Sequence, residues 1–344
     1  MKRVDKREWY EILWEQLHRR DDVKTAVILS GPYLGARVMW MGETMVGTSE
    51  APAAFWEREV WQKGKIWEPG LRTVRDGEET YAVFAEVLSK QPRLVILGGG
   101  HISLPLCAMG KMLDFHVTVM DDRPEFANRT RFAGADEVIC DSFSECAGRI
   151  KDIPNTYYVI VTRGHLGDSI CAEQILRRKC AYVGMIGSRA KVAMTKEKLE
   201  KAGILPQRLE ELYAPIGLKI GGQTPAEIAV SILAQIIQVK HAESRSCLDT
   251  KIGTWLETER EPAVMAQIIE KKGSAPRGAG SRMVITLGGR SFGSVGGGLA
   301  EHEVMEEAKH LRNSQVMEFQ MDGRESASTG MICGGSIRVL LERL

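Results

Sequence analysis

The chain has 344 residues, enough for two or three domains, and its 44% hydrophobic and 26% charged residues are typical of a globular protein. A formal net charge of +1 argues against nucleic acid and anionic membrane as partners, and no apolar run is long enough to span a bilayer. The first residues lack the apolar core of a signal peptide, and the seven cysteines show no CxxC spacing. We therefore expect a cytoplasmic protein with reduced thiols.

The first 90 residues alternate between strand-like and helix-like patterns. Apolar spacing predicts helices over Asp5–Arg20 and Ala51–Lys63, and strands over Thr25–Ser30, Ala36–Met41, Met45–Gly47 and Tyr81–Leu88. Six of the seven tryptophans precede Leu71. We interpret them as core or subunit-interface residues rather than as a platform for a ligand.

A strand, a glycine turn and a helix follow, the arrangement that opens a dinucleotide-binding βαβ unit. The apolar run Leu94–Leu97 leads directly into Gly98, Gly99 and Gly100. Gly98 would let the chain turn sharply, and Gly100 would let the backbone approach a phosphate. The usual third glycine is absent, and Ser103 is the small residue nearest to its place.

Strands and helices continue to alternate as far as residue 240, which predicts a Rossmann-like, doubly wound parallel sheet. The later strands are predicted at His116–Met120, Val138–Cys140, Tyr157–Val161 and Tyr182–Ile186, and the last helix at Pro225–Val239. With the strand order 3-2-1-4-5, a ligand crevice would lie where the first and fourth strands part.

Polar residues follow these strands and form a candidate anion-binding site. They are Gly98, Gly100, His101, Asp121, Arg163, His165, Ser188 and Arg189. An arginine forks onto phosphate and a neutral histidine donates one N–H, so this set suits an anion. Asp121 lies where a Rossmann protein places the acid that binds a ribose hydroxyl, but an aspartate-rich turn before Pro124 explains it equally well.

The last hundred residues look like a second copy of the first ninety. Strands are predicted at Ala263–Glu270, Arg282–Thr286 and Ile337–Glu342, and a helix at Leu299–Leu311. The copies align as Thr25–Ser30 with Pro262–Gln267, Leu34–Trp40 with Gly280–Thr286, and Tyr81–Leu88 with Ile337–Leu344. The predicted organisation is a degenerate α+β copy at 1–90, the Rossmann-like domain at 91–240, a linker at 241–258 and the intact copy at 259–344.

Glycine-rich loops distinguish the second copy from the first and indicate a ligand site there. Gly296, Gly297 and Gly298 precede a helix and form a candidate anion nest, with Arg277 and Glu301 nearby in the sequence. Glu301 would bind a metal or favour the helix N-terminus. Cys333, followed by Gly334, would offer a soft thiolate to molybdenum, copper or sulfur transfer; the alternative is an inert buried cysteine.

These motifs together resemble the XdhC/CoxI family of xanthine dehydrogenase accessory proteins. The resemblance rests on Gly273-Ser-Ala-Pro-Arg, Gly293-Ser-Val-Gly-Gly-Gly, Met331-Ile-Cys-Gly-Gly, Leu97-Gly-Gly-Gly-His, Asp121-Asp-Arg-Pro-Glu-Phe-Ala-Asn-Arg, Thr162-Arg-Gly-His, Ile186-Gly-Ser-Arg and Pro215-Ile-Gly-Leu-Lys-Ile-Gly-Gly-Gln-Thr-Pro-Ala-Glu-Ile-Ala. The family usually places the Cys-Gly-Gly domain before the Rossmann domain. Here the intact copy follows it.

The resemblance implies a chaperone for molybdenum cofactor (molybdopterin) rather than a catalyst. Such a protein assists sulfuration of the cofactor and delivers it to a molybdenum hydroxylase, with a cysteine desulfurase as a further partner. Cys333 would then be a cofactor ligand or a sulfur relay, touching the metal only through the cofactor. The alternative is an oxidoreductase that uses NAD or another nucleotide in the Rossmann domain. A third possibility is a dimeric assembly factor whose Rossmann part is empty. We expect a homodimer.

Overall fold

A computed structural model describes residues 1–20, 22–42, 44–49, 53–58, 69–242, 245–273, 276–320 and 335–344. The chain forms two compact units, one made of residues 1–90 and 244–344 and the other of residues 91–243. The two flanking copies thus fold together into one unit, and the Rossmann-like region folds as a separate one. Within the described part of the chain, no helix is both long enough and apolar enough to cross a membrane.

The elements alternate along the chain much as the sequence predicts. Residues 1–90 contain β1 (Lys2–Val4), α1 (Lys6–Arg19), β2 (Asp22–Ile28), β3 (Arg37–Met41), β4 (Thr44–Thr48), α2 (Ala53–Glu57), β5 (Gly70–Asp76) and β6 (Glu79–Ser89). The middle unit contains β7 (Arg93–Leu97), α3 (Ser103–Met112), β8 (His116–Asp121), β9 (Glu137–Cys140), α4 (Cys146–Arg149), β10 (Thr156–Ile160), α5 (His165–Leu176), β11 (Tyr182–Met185), α6 (Arg189–Lys201), α7 (Pro206–Glu210), β12 (Leu212–Tyr213) and α8 (Pro225–Ala242). The remainder contains β13 (Arg245–Cys247), α9 (Thr250–Thr258), β14 (Ala263–Lys272), β15 (Arg282–Thr286), β16 (Ser291–Gly293), α10 (Gly298–His310), β17 (Gln315–Gln320) and β18 (Ser336–Arg343).

The middle unit is the predicted doubly wound sheet. Its strand order is β12-β11-β10-β7-β8-β9, and each paired neighbour is parallel. This confirms the order 3-2-1-4-5 and adds a sixth strand. Successive residues of β7 face opposite cores: Val95 packs with residues of α5 and α6, whereas Leu94 and Ile96 pack with residues of α3 and α8. Helices therefore cover both faces of the sheet, as buried parallel strands require.

The two flanking copies have the same sheet topology. The order β4-β3-β2-β6-β5 in the first sheet corresponds to β16-β15-β14-β18-β17 in the second. The glycines Gly35 and Gly280, with φ values of +86° and +90°, anchor the equivalent positions. From them strand pairing makes Arg37, opposite Val27, equivalent to Arg282, opposite Gln267. Compared with this register, the alignment from sequence was shifted by three residues on β2 and β14 and by one on β3 and β15. It was correct for β6 and β18.

Two reciprocal buried ion pairs connect the copies. Arg37 of the first copy pairs with Glu342 of the second, with 2.8 Å between Nε and Oε2, and Arg282 of the second pairs with Glu86 of the first. Arg37 and Arg282 are equivalent positions, as are Glu86 and Glu342. Gln267 links the pairs, accepting from Arg37 Nη2 at 2.7 Å and donating to Glu86 Oε1 at 2.9 Å. The internal repeat is therefore built around a local pseudo-twofold.

Residues 241–258, predicted as a linker, are mostly structured. β13 adds to the first sheet beside β6, and α9 contributes Ile252, Trp255 and Leu256 to the same core as Trp9 and Leu13 of α1. The prediction failed because α9 is only nine residues long and lies among polar residues. Trp9 and Trp255 are buried in this core, which agrees with a packing role for these tryptophans.

Candidate functional site

The glycine turn after β7 lies at the carboxyl edge of the parallel sheet, where β7 and β10 are neighbours. Gly98 has φ +115°, and a Cβ atom there would come within 2.3 Å of the carbonyl oxygen of Val161. Turn geometry and close packing thus both require glycine at this position. Gly100 differs, because its φ is not in the left-handed region and a Cβ atom would contact nothing within 4 Å. Its lack of a side chain leaves open space at the edge of the sheet.

Asp121, at the end of β8, is bound within its own loop. Its Oδ2 accepts the N–H of Gly99 at 2.7 Å, and both of its oxygens accept from the Arg123 guanidinium at 2.9 and 3.1 Å. Burial raises the pKa of Asp121, but these hydrogen bonds outweigh it and hold the pKa below its ordinary value. The side chain is 1% exposed. The acid predicted to bind a ribose hydroxyl is therefore a charged anchor of the glycine turn in this structure.

Arg123 and Arg131 lie beside the glycine turn, and the site prediction did not include them. The Arg123 guanidinium lies 3.6 Å from the centre of the Phe126 ring, and Arg131 lies 5.1 Å from the same ring. Arg131 Nε also donates to the carbonyl of Gly99 at 3.0 Å. The sequence signal was the run from residue 121 to 131, which carries three arginines around a phenylalanine.

The loop after β10 is fixed by Asp168 of α5. Thr162 donates its hydroxyl to Asp168 Oδ1 at 2.7 Å and its backbone N–H to the same atom at 3.2 Å. Arg163 next to it is 62% exposed and lies 3.6 Å from Asp122, so it connects the loops after β8 and β10. Gly164, with φ +134°, precedes the first turn of α5, which begins at His165.

The remaining predicted residues of this unit lie at the same edge. His101 is exposed in the turn between β7 and α3. The Ser188 side chain caps α6 by accepting from the N–H of Lys191, and the exposed Arg189 begins that helix. These residues follow β7 and β11, which both pair with β10. The fold therefore brings the predicted loops to one edge of the sheet.

The glycine nest of the second copy lies beside the side-chain carboxylate of Glu301. Gly296, Gly297 and Gly298 have φ values of +124°, +75° and +63° at the start of α10. Glu301 Oε1 accepts the Ser294 hydroxyl at 2.5 Å and the Val295 N–H at 3.0 Å. Burial raises the pKa of Glu301, but hydrogen bonds from Ser294 and the backbone of residues 295–297 bring it below the ordinary value. Glu301 thus has the role of a helix N-terminal anion.

The other candidates of the second copy are less defined by the structure. Arg277 is exposed. Cys333 and Gly334 lie outside the described residues, so the predicted thiolate site is not described. Among the described residues, no group of three or more histidine, cysteine, aspartate or glutamate side chains could hold a metal ion.

Comparison with protein families identifies both units. The XdhC Rossmann domain matches residues 94–236, and the XdhC and CoxI family domain matches residues 256–320. The chain belongs to the XdhC/CoxI family. The first match covers the parallel sheet and its carboxyl edge, and the second covers the intact repeat as far as β17.

The chain is also similar to individual proteins. A probable xanthine dehydrogenase subunit of Bacillus subtilis (strain 168) is 30% identical over 163 residues, which are 47% of this chain and 47% of that protein. "Uncharacterized protein YqeB" of Escherichia coli (strain K12) is 30% identical over 161 residues, 46% of this chain and 29% of that protein. The chain thus spans less than half the length of these curated relatives. A crystal structure described as a xanthine dehydrogenase from Bacillus halodurans has the same fold, with a TM-score of 0.56 and 24% identity over 70% of this chain and 68% of that one.

Proposed function

We propose that this protein binds molybdenum cofactor, assists its sulfuration and helps insert it into a molybdenum hydroxylase such as xanthine dehydrogenase. The family assignment supports an accessory role for xanthine dehydrogenase. The proposal makes the chain a cofactor chaperone, with a cysteine desulfurase as sulfur donor. Cys333 would be a cofactor ligand or sulfur relay, and the protein would act as a cytoplasmic homodimer.

The observation that carries the proposal is the open space at Gly100. Neither backbone geometry nor packing requires glycine there, so the position suits close approach of a ligand to the backbone. Arg163 and His101 are exposed at the same edge of the sheet and offer donors to an anion. These residues fit the phosphate of molybdopterin. When bound, the cofactor would supply the molybdenum centre, while this chain supplies the phosphate site.

The nest at Gly296–Gly298 fits such an anion less well. The half-buried Glu301 carboxylate accepts the Val295 N–H and interacts with the backbone of Gly296 and Gly297, so its charge would repel a phosphate at this nest. We therefore assign the phosphate to the carboxyl edge of the Rossmann sheet. The roles of Arg277 and Cys333 as cofactor-binding residues of the second copy stay predictions. An NAD-dependent oxidoreductase is disfavoured because both oxygens of Asp121 are already bound by Gly99 and Arg123.

The test is the cofactor content of the full chain purified anaerobically, measured as molybdenum, pterin and nucleotide. We expect pterin in the wild type and its loss in the Gly100→Val and Arg163→Ala variants. Arg177→Ala is the matched control, because Arg177 is an exposed arginine at the opposite end of α5. Stoichiometric NAD without pterin would refute the chaperone and favour the oxidoreductase. An unchanged pterin content in Cys333→Ala would refute the role of the thiol as a cofactor ligand and leave the rest of the proposal standing.

A further inference from the structure

The pseudo-twofold gives the first copy a counterpart of the glycine-rich loops. Gly35 and Gly280 are equivalent and have φ values of +86° and +90°. Counting back three residues from each glycine makes Pro32 of the first copy equivalent to Arg277 of the second. Val38 pairs with Gly47 of β4, and its equivalent Met283 pairs with Gly293 of β16. Two residues further along, Ser49 is therefore equivalent to Val295. The loops of the second copy that carry its candidate ligand residues thus have equivalents near residues 32–35 and 49.

Those equivalent loops of the first copy line an open cleft, here called the N-terminal cleft. Its volume is about 750 Å³, within the range of small-molecule sites. The start of α1, the loop at residues 312–314 and the end of β18 complete the lining. Lys6 Nζ donates to Ser314 Oγ at 3.0 Å, so a hydrogen bond holds two of these walls together.

The lining of the cleft is strongly cationic. Lys6, Arg7, Arg312 and Arg343 contribute to it, and Asp5 is the acidic side chain among the lining residues that the structure describes. The Asp5 carboxylate already caps α1, accepting from the N–H of Glu8 at 2.8 Å. Three separate chain segments therefore contribute positive side chains to the cleft. The N-terminus of α1, which carries the positive end of the helix dipole, also lies beside it.

The four cations differ in how they are held. Arg7 is fixed, because it donates to Glu11 and to the carbonyls of Glu259 and Glu261. Arg312 and Arg343 are exposed, and neither forms an ion pair with another described residue. Gln315 of β17 pairs with Leu341 of β18, so Arg312 and Arg343 lie at the same end of these two strands and near each other. Two neighbouring exposed arginines are suited to bind the oxygens of a polyanion.

We propose that the N-terminal cleft is a second ligand site, which binds a small, multiply charged phosphate compound. Arg312 and Arg343 would contact the phosphate oxygens, and Lys6 and the start of α1 would add positive potential. This site lies where the two copies meet: Arg312 and Arg343 belong to the second copy, and Lys6 and the loops near residues 32–35 and 49 belong to the first. Its ligand recognition is independent of the Rossmann crevice and of Cys333.

The test is calorimetric titration of the full chain with inorganic pyrophosphate at low ionic strength. We expect saturable binding that weakens with added salt, and a loss of about tenfold in affinity for each of Arg312→Ala and Arg343→Ala. Lys309→Ala is the matched control. Lys309 is an exposed cation on α10, three residues before Arg312 in the sequence. The affinity of this variant should equal that of the wild type.

Two results would overturn the proposal. One is the absence of saturable binding to the wild type; the other is a loss in Lys309→Ala as large as in the arginine variants. Arg163→Ala should leave pyrophosphate binding in this cleft intact. If Arg163→Ala abolished it and Arg312→Ala did not, the titrated site would be the Rossmann crevice and this proposal would be wrong. Thermal melting of each variant, without ligand, distinguishes loss of binding from loss of fold.

Discussion

The reciprocal ion pairs lead to a sharp prediction about stability. Replacing Glu342 with glutamine keeps the shape of the side chain but removes the charge that balances Arg37. Both side chains are fully buried, and Tyr10 also donates its hydroxyl to Glu342 Oε2 at 3.2 Å. Burial lowers the pKa of Arg37, yet its interaction with Glu342 is strong enough to raise the pKa overall. The variant removes this interaction, but a guanidinium is not deprotonated in a protein, so Arg37 stays charged.

We expect Glu342→Gln to lower the free energy of unfolding of the unit made of residues 1–90 and 244–344 by about 3–5 kcal/mol. This is the usual cost of leaving a buried charge without its partner. A domain is stable by only about 5–15 kcal/mol, so the loss should be large. Tryptophan fluorescence during urea unfolding is the measurement, because all seven tryptophans lie in this unit. The signal thus reports this unit and not the Rossmann unit.

Three further variants test the reasoning. Glu86→Gln should be destabilising in the same way, since it orphans the equivalent Arg282. The double variant Arg37→Met/Glu342→Met should be more stable than Glu342→Gln, because no buried charge is left unbalanced. Glu15→Gln, at an exposed pair with Arg19 in the same unit, should leave the fluorescence transition unchanged. The reasoning is refuted if Glu342→Gln costs less than about 1 kcal/mol, or if the double variant is the less stable one.

Three other predictions concern the glycine turn and the packing of the helices. Gly98→Ala should destabilise the Rossmann unit by about 1–3 kcal/mol, because of strain at φ +115° and a clash with Val161, whereas Gly100→Ala should not. The two variants are compared by urea unfolding followed by circular dichroism. Equal losses of stability would contradict the conclusion that only Gly98 is required by the turn. The lowered pKa of Asp121 stabilises the Rossmann unit above the ordinary carboxyl pKa of 3.8, and this contribution is lost as the pH falls through the lower, folded-state value. Asp121→Asn should therefore flatten the acid side of that unit's stability profile, and an unchanged profile would count against the role of Asp121. Gly253→Ala should lower the free energy of unfolding by about 1–3 kcal/mol and move the fluorescence transition to lower urea, because its Cβ would lie 2.3 Å from the Trp14 ring. A neutral result would mean that α1 and α9 pack less closely.

The Rossmann unit was largely predictable from sequence. Its five predicted strands are short apolar runs, each followed by a glycine or a polar residue, and the parallel order follows from alternation with helices. Because carboxyl ends of parallel strands share one edge, the placement of His101 and Arg163 could be predicted as well. The repeat was also recognisable, but only the structure gave its register, since similar apolar residues allow shifts of one to three positions.

The roles of the carboxylates were harder to predict. Asp121 and Glu301 both stand at positions where a ligand-binding acid is plausible, yet both accept backbone N–H groups of their own loops. The donors are backbone groups whose directions depend on the turn geometry, so residue identities alone do not reveal them. The arginines of the N-terminal cleft were missed for a related reason. Arg312 and Arg343 are far from Lys6 in sequence and meet it only through the packing of the two copies.

The place at which β13 joins the first sheet makes the chain modular. Strand β6 ends at Ser89, and β13 re-enters beside it with Arg245 paired to Val87, so the chain leaves and rejoins this unit at neighbouring points. A whole domain is thereby carried as an insertion between two adjacent strands, and its two ends need little distance between them. A short polar linker in place of residues 91–243 should leave both sheets and their ion pairs intact. The Rossmann unit could thus have been gained, lost or exchanged without rebuilding the structure that carries it.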